Sequence, residues 1–545
     1  MVLISRSAVD ESGNSLEAPA AATREGRRTR AVTVAGVALL AALLLVAAWR
    51  EARQMSPNSD GASVALQAWD LLRGNLLLSG WRTADVSFYT TEMPVYVLVE
   101  AIRGLRSDVI SIVAAINYTL LVAGAAVVAK GRVRGAEGLT RAAVAVAVML
   151  LPSLAAAATL LEESDHAATA IWVLLALAVL QRSGRRWHGP ALAGLIIAWA
   201  SVGDPLVQVI GAAPLALTGL VWALRRNDRW YLWLVAAAAA GTAAAHLATA
   251  LLTAAGGWQI VGSGEKFVAS TALPGNLAVE AEDFLGLFSA DFFGQRTGPA
   301  LLPILVHLVA AAAVAAAIVI AARRLVRGPA AAPEGEPVAP GGDLIADVLV
   351  AAIACNLLAY LLLYPASPGQ IREVSPVFGL GAALAGRMLG GPLIRARARP
   401  WLAAWTVAVL LAAGPALTGR AAPPQTEPLE GWLTAHHLTS GLAGYWQANG
   451  VILASAAGGN PAVEVRPVKG NNGRPVPYRW ETYLPAYSPV TNRADFLVLT
   501  TGLLGPQPAV TEAGAAREFG APAHVYRFRQ YTILTWNRNI LRRLP

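Results

Sequence analysis

The chain has 545 residues, 55% hydrophobic and 14% charged, with a formal net charge of +9. A soluble protein of that length carries more charge, so composition points to a polytopic membrane protein. The excess of arginine does not indicate nucleic acid, because it falls in clusters between apolar runs, and the single Cys355 excludes a disulfide framework or a cysteine zinc site.

In chain order, a polar tail over residues 1 to 30, expected to be disordered in the cytoplasm, precedes an apolar run at 31 to 49. That run is longer than a cleaved signal core and reads as a retained anchor. A spanning helix needs about 20 apolar residues. Further runs of that kind lie at 109 to 129, 142 to 161, 167 to 181, 189 to 203, 206 to 224, 231 to 254, 299 to 322, 344 to 364, 376 to 392 and 401 to 418. Every second connection is basic, from Arg24, Arg27, Arg28 and Arg30 to Arg395, Arg397 and Arg399. By the positive-inside rule the amino terminus is cytoplasmic and the carboxyl terminus lies outside a multi-pass plasma membrane protein.

The fold class expected is therefore a polytopic α-helical membrane protein of about 11 transmembrane helices with external amphipathic helices, followed by a C-terminal extracytoplasmic α/β domain. The membrane domain takes residues 31 to 418, with long external loops at 50 to 108 and 255 to 298 and a Pro/Gly-rich cytoplasmic linker at 328 to 342. The last domain takes residues 419 to 545.

The first long loop opens with "NSDGASVALQAWDLLRGN", where Asp60, Ser63, Gln67, Asp70 and Gly74 make one polar stripe on a largely apolar helix. It reads as an interfacial helix on the outer leaflet. Asp60 is either a reacting acid or, like Asn58 and Ser59, an N-cap. Asp85 and Glu92 follow in "DVSFYTTEMPVYVLVEAIRGL", with Pro94 starting a second amphipathic helix. Acids grouped outside a membrane act as a general base, bind a cation, or are simply solvated.

In "LEESDHAATAIW", Glu162, Glu163, Asp165 and His166 suit a divalent cation or a phosphate, or form an ordinary polar helix end. "SVGDPL" puts Asp204 in a tight turn, and turn formation is its slightly favoured role. In "NLAVEAEDFLGLFSADFF", Leu277, Ala281, Phe284, Leu285, Phe288 and Phe292 repeat at helical spacing, as in a lid on the membrane surface. Arg372 in "SPGQIREVSPVFGLGAALAGR" has the planar donors that bind phosphate oxygens in pairs, or it pairs with Glu373.

Past residue 428 a helical segment and turn ("GWLTAHHLTSGLAGYWQANG") leads into strands at "VILAS", "VEVRPV" and "DFLVLT" and a hairpin at "AHVYRFRQYTILTW". Tyr445, Trp446, Trp480, Tyr483 and Tyr487 either stack on sugar rings or pack a small core.

The order of these segments resembles the GT-C superfamily of integral-membrane glycosyltransferases, especially the branch of bacterial aminoarabinose and protein mannosyl transferases. The resemblant parts are an Asp directly after the first span, "ALQAWDLLRGN" as the surface helix behind it, "TTEMPVYVLV" as a Pro-containing second surface helix, "DHAATAIWVLLALAVL" opening the fourth span, and the late "REVSPVFGLGAALAGR". It implies a polyprenyl-phosphate-linked sugar donor held in membrane lipid and an extracytoplasmic glycan, lipid or protein acceptor. Asp60 would be the general base, with Arg372 and His166 on the donor phosphate. Many family members carry a second acid beside that Asp. Here Gly61 follows, so Asp85, Glu92 or Asp165 is the candidate second acid; no cofactor is fixed by the resemblance, and a divalent cation stays open.

A transporter or lipid-linked-sugar flippase, and a non-enzymatic cell-envelope scaffold, are the competing classes. Transport sites place ionisable groups near the bilayer midplane, whereas here the acids gather at the outer ends of Ala/Leu/Val-rich spans. The topology is checked by cysteine labelling in intact cells. A cysteine at Gly135 should be shielded from an impermeant thiol reagent and one at Gly459 should react; labelling at Gly135 or protection at Gly459 would overturn the orientation.

Overall fold

The computed structural model describes residues 18–162, 166–262, 266–299, 301–327, 342–363, 371–500 and 508–545. The acid Asp165 and all but Gly342 of the Pro/Gly-rich linker lie outside the described residues. Helix α1 (Ala18–Ala52) starts inside the tail expected to be disordered, because the Ala, Arg and Glu content there favours helix.

The first long loop carries α2 (Ser59–Leu72), strand β1 (Trp81–Thr83) and α3 (Met93–Arg103). The chain then runs through α4 (Asp108–Lys130), α5 (Gly135–Val148), α6 (Leu154–Leu160), α7 (Thr169–Ser183), α8 (His188–Gly203), a π turn leading into α9 (Ala213–Arg226), and α10 (Leu232–Ala254). The second long loop holds β2 (Gln259–Ile260) and α11 (Leu273–Leu287). Next come α12 (Leu301–Arg327), α13 (Leu344–Leu363), a 3-10 turn at Ile371–Val374, α14 (Pro376–Arg395), α15 (Arg399–Ala412) and α16 (Gly414–Thr418).

Among the described residues, seven helical stretches are long and apolar enough to cross a membrane, and α7, α8 and α15 are shorter apolar helices. The run expected as one span at 142 to 161 is instead α5 and α6. Pro152 has no N–H for the helical ladder and disfavours helix at the residue before it, so the chain breaks there.

The carboxyl-terminal part contains α17 (Glu427–Ala435), β3 (Ser440–Ala443), α18 (Tyr445–Ala454), β4 (Glu464–Asn471), β5 (Arg474–Pro477), β6 (Thr482–Tyr483), β7 (Phe496–Thr500), α19 (Glu512–Phe519), β8 (His524–Phe528) and β9 (Tyr531–Thr535). Its sheet has the order β5-β4-β3-β7-β9-β8, with β3 parallel to both β4 and β7 and the other pairs antiparallel. Strand β3 lies where a turn was expected. Gly441 is required at its centre, since a Cβ there would stand 2.3 Å from the Phe496 ring. Conversely "VILAS", expected as a strand, forms most of the end of α18; a short apolar run does not by itself distinguish a buried strand from a buried helix.

Two expected surface helices are also placed differently. Nine residues of α2 are buried, and α2 packs against α3 on one side and α18 on the other, so its polar stripe meets protein rather than a leaflet. Helix α11 buries Asn276 and Glu280 and leaves Leu277 exposed. Its polar side bonds α13, with Asn276 Nδ2 donating to the Leu361 carbonyl at 3.0 Å and Tyr360 Oη donating to Asp283 Oδ2 at 2.7 Å.

A small second sheet, β2-β1-β6, joins the two long loops to the carboxyl-terminal part. Arg82 pairs with Gln259 in parallel, and Trp81 pairs with Tyr483 antiparallel. Gly80 makes this joint possible: it has φ +87°, and a Cβ there would lie 2.8 Å from the Pro485 side chain and 2.9 Å from the Tyr483 ring. Gly80→Ala therefore combines a left-handed backbone cost of about 1–2 kcal/mol with two clashes. It should loosen the carboxyl-terminal part, seen as faster limited proteolysis and a lower melting temperature. An unchanged cleavage pattern and melt would show that the joint does not hold the two parts together.

Candidate functional site

The densest group of buried polar side chains lies where α2, the α6–α7 turn, the α8 end, the Ile371–Val374 turn and the carboxyl-terminal part converge. Helix α2 is capped by Asn58, whose side chain accepts from the Gly61 N–H at 3.0 Å. Asp60 is therefore not the cap, and its carboxylate faces outward from the first turn. Tyr445, in the first turn of α18, donates its hydroxyl to Asp60 Oδ1. Glu481 Oε2 lies 2.6 Å from the same hydroxyl.

One phenolic hydroxyl has one proton to donate. With two carboxyls on it, one of them must carry its own proton and donate to the Tyr445 oxygen. Burial pushes Glu481 well above the usual carboxyl range and the negative charge of Asp60 raises it further. Burial also raises Asp60, but the Tyr445 hydrogen bond and the Arg372 charge oppose it. Of the two, Glu481 is the one held more strongly toward its protonated form. Glu481 holds this place at φ +43°, a conformation rare for a residue with a side chain. Asp85 is half-buried nearby and adds its charge to the rise in Glu481.

On the other side of Asp60 stands Arg372. Its Nη1 is 3.9 Å from Asp60 Oδ2 and its Nε 3.6 Å from Glu373 Oε1, and its side chain is 45% exposed. Ion pairs so long and so open contribute at most about 1 kcal/mol each to stability.

Behind Arg372 is a closed chain of buried groups. Glu373 Oε2 is 3.2 Å from His166 Nε2, and Asp204 Oδ2 is 2.7 Å from His166 Nδ1. Thr169 donates its hydroxyl to the same Asp204 oxygen, and the Leu206 N–H donates to Oδ1 at 2.8 Å. Asp204 therefore makes the expected turn contact but also fixes His166. Burial opposes the His166 charge, yet Asp204 and Glu373 overcome it and hold the imidazole well above its ordinary value. Burial would raise Asp204, but the His166 charge and three hydrogen bonds keep it below the usual carboxylate range. Both ring nitrogens of His166 face carboxylates, which is not the arrangement of a direct phosphate ligand.

Glu92 is fully buried just before α3, with neither carboxylate oxygen in a well-formed hydrogen bond. Burial, then the charge of Asp204, push it well above the usual range. It lies beside the His166–Asp204 pair, and among the described residues no hydrogen bond or ion pair joins it to Asp60. Glu481 was not legible as a site residue, and Tyr445 was legible only as a ring for sugar stacking or core packing, not as a partner of Asp60. Each sits in an aromatic-rich stretch of the carboxyl-terminal part, and only the docking of α18 on α2 brings them to Asp60.

Among the described residues no three His, Cys, Asp or Glu side chains are grouped to hold a metal ion. A cavity of about 890 Å³ opens beside the site, lined by Ile371, Gly286, Asp283, Ser153 and His307 among others.

No family model matches the chain, and no curated protein matches it. Among solved structures it is similar to the oligosaccharyltransferase of Archaeoglobus fulgidus in its apo form, at 12% identity and a TM-score of 0.45, over 84% of this chain and 69% of that one. The same archaeal enzyme in complex with Zn and sulfate gives 12% identity and a TM-score of 0.44, over 82% of this chain and 64% of that one.

The buried pair yields a prediction with a defined pH range. The contribution of Asp204, whose value is lowered, is present above its unfolded value of about 3.9 and is lost as pH falls through the folded one. That of His166, whose value is raised, is complete below about 6.5 and is lost as pH climbs through the folded one. Asp204→Asn removes the nearer of the two carboxylates on a buried imidazolium, leaving it Glu373 alone, and should cost about 3 kcal/mol, with the deficit largest in mildly acidic to neutral buffer and shrinking toward either extreme. Thermal unfolding across that range measures it. A variant that melts like the parent at neutral pH would remove the ion pair from the account.

Proposed function

We propose that this chain is a membrane glycosyltransferase of the GT-C type, moving a sugar from a polyprenyl-phosphate-linked donor to an acceptor outside the plasma membrane. The observation that carries the reading is the Asp60 carboxyl, held by the Tyr445 hydroxyl and next to the half-exposed guanidinium of Arg372. A base and an anion-binding cation side by side are what displacement of a phosphate by a hydroxyl needs.

In the proposed reaction Asp60 takes the proton of the acceptor hydroxyl, and the acceptor oxygen bonds to the anomeric carbon. The bond from that carbon to the lipid phosphate breaks, and its electron pair leaves on the phosphate oxygen. Arg372 meets the departing phosphate with its planar donors. Glu373 and His166 are positioning residues in this scheme: Asp204 orients His166, His166 holds Glu373, and Glu373 steers the Arg372 guanidinium. Glu481 keeps its proton on Tyr445, so the Tyr445 proton stays on Asp60 and fixes that carboxylate's rotamer. In this scheme the lipid tail of the donor lies in the cavity lined by Ile371, the residue next to Arg372 in sequence.

This reading includes the topology of eleven spans, with the amino terminus in the cytoplasm and the carboxyl-terminal part outside, on the support of the alternating arginine clusters. The site then lies at the outer leaflet, where a polyprenyl phosphate presents its sugar.

Asp60→Asn is the decisive variant. Asn58 is the helix cap, so the change leaves α2 in place, while an amide cannot take up the proton. Transfer from a radiolabelled polyprenyl-phosphate sugar, assayed with purified protein in lipid, should fall by about 10²-fold or more with an unchanged melting temperature. Parental transfer by the variant would remove Asp60 as base; no transfer by the parent from any such donor would favour the transporter or scaffold classes.

A further inference from the structure

A second concave surface lies away from the acids. A groove of about 580 Å³ runs between the carboxyl-terminal half of α2, strand β1 and the edge of the carboxyl-terminal part. Trp69, Asp70 and Arg73 line it from α2, Trp81 from β1, and Tyr483 and Asn492 from the opposite wall. The rings of Trp81 and Tyr483 stand 5.7 Å apart and tilted by 45°, fixed by their pairing across the small sheet. Asp70 is held rigid, accepting from the Trp81 indole at 2.8 Å and the Asn75 amide at 2.6 Å. The indole N–H of Trp69 is buried with no hydrogen-bond partner, and Tyr483 is 38% exposed.

We infer that this groove is a binding subsite for the non-reacting part of a neutral saccharide acceptor, an inference that rests on the function proposed above. Fixed aromatic planes present apolar faces to the C–H side of pyranose rings. Planar carboxylate, amide and guanidinium groups at their edges match pairs of sugar hydroxyls. The charges in the groove cancel, Asp70 and Glu464 against Arg73 and Arg466, which selects a neutral chain over a polyanion. Helix α2 sets the distance. Asp70 lies ten residues beyond Asp60 on one helix, so the groove is about 15 Å from the proposed base at 1.5 Å per residue. An acceptor several sugars long spans that gap, with its reacting hydroxyl at Asp60 and its tail in the groove.

The test uses the purified full chain in lipid nanodiscs, titrated with short and long linear neutral glucans, mannans and arabinans while tryptophan fluorescence is followed. At least one neutral glycan series should quench, with affinity rising with length. Tyr483→Ala should weaken that binding by roughly tenfold, the loss of one aromatic contact of up to about 1.5 kcal/mol. Ala486→Trp fills the groove without deleting a native contact and should abolish binding at an unchanged melting temperature, which guards against a misfolded Tyr483 variant. Glycan binding that neither groove variant alters overturns the subsite, as does quenching by none of these glycans, or Tyr483-dependent quenching by peptides or phospholipid vesicles in their place. If the groove variants abolish glycan binding while the parent transfers no sugar, the groove stands and the enzymatic reading falls; if the parent transfers sugar and the groove variants change nothing, the reverse holds.

Discussion

Burying two carboxyls against one phenol is possible only if the number of protons comes out right. Asp60 and Glu481 both reach the Tyr445 hydroxyl, which has a single proton to give, so the cluster is stable with one carboxyl protonated and unstable with both charged. That condition ties the carboxyl-terminal part to the helices. Tyr445 belongs to α18, Asp60 to α2, and the Ser59 hydroxyl also donates to the Tyr445 carbonyl at 2.6 Å. The β2-β1-β6 sheet then sets where Glu481 lies, one residue before β6. The helix bundle and the sheet part thus form a joint whose centre is polar, and the polar stripe of α2 is explained by what covers it.

The second network obeys a different economy of charge. Asp204, His166 and Glu373 place one cation between two anions deep in the protein, where losing His166 leaves two carboxylates facing each other without a counterion. Arg372 stands at the edge of this network, half-exposed and at distances too long for strong pairing. Stability is concentrated in the buried triad, and the outermost cation keeps its surface toward solvent. On the proposed function, this division lets the cation meet a substrate anion without endangering the fold. Glu92 adds a buried acid that desolvation pushes toward its protonated form.

At the opposite end of the bundle Arg387 does purely structural work. From α14 it donates to both oxygens of Asp343, at 2.6 and 2.8 Å, and to the Val128 carbonyl and Gln181 at the ends of α4 and α7. Guanidinium geometry serves both ends, saturated with partners here and half-exposed at Arg372.

Much of the helix inventory was readable along the chain, because an apolar run long enough to span a bilayer is a local property that needs no partner. Local chemistry also explains where reading failed. Pro152 splits an apolar run that hydropathy alone joins, and "VILAS" satisfies strand and helix patterns equally. Asp60, Arg372 and His166 stood out as unusual residues in oily surroundings, and they do converge. Their partners did not stand out. Tyr445, Glu481 and Asp204 look ordinary in order along the chain, since a tyrosine in an aromatic stretch and an aspartate before a proline have plain local roles. The residue order was enough for the membrane class, the mostly helical bundle and the first acids worth testing. Which carboxyl keeps its proton, which is paired, and that α2 faces protein instead of lipid were set by long-range packing, because each depends on desolvation and charge brought by residues hundreds of positions away.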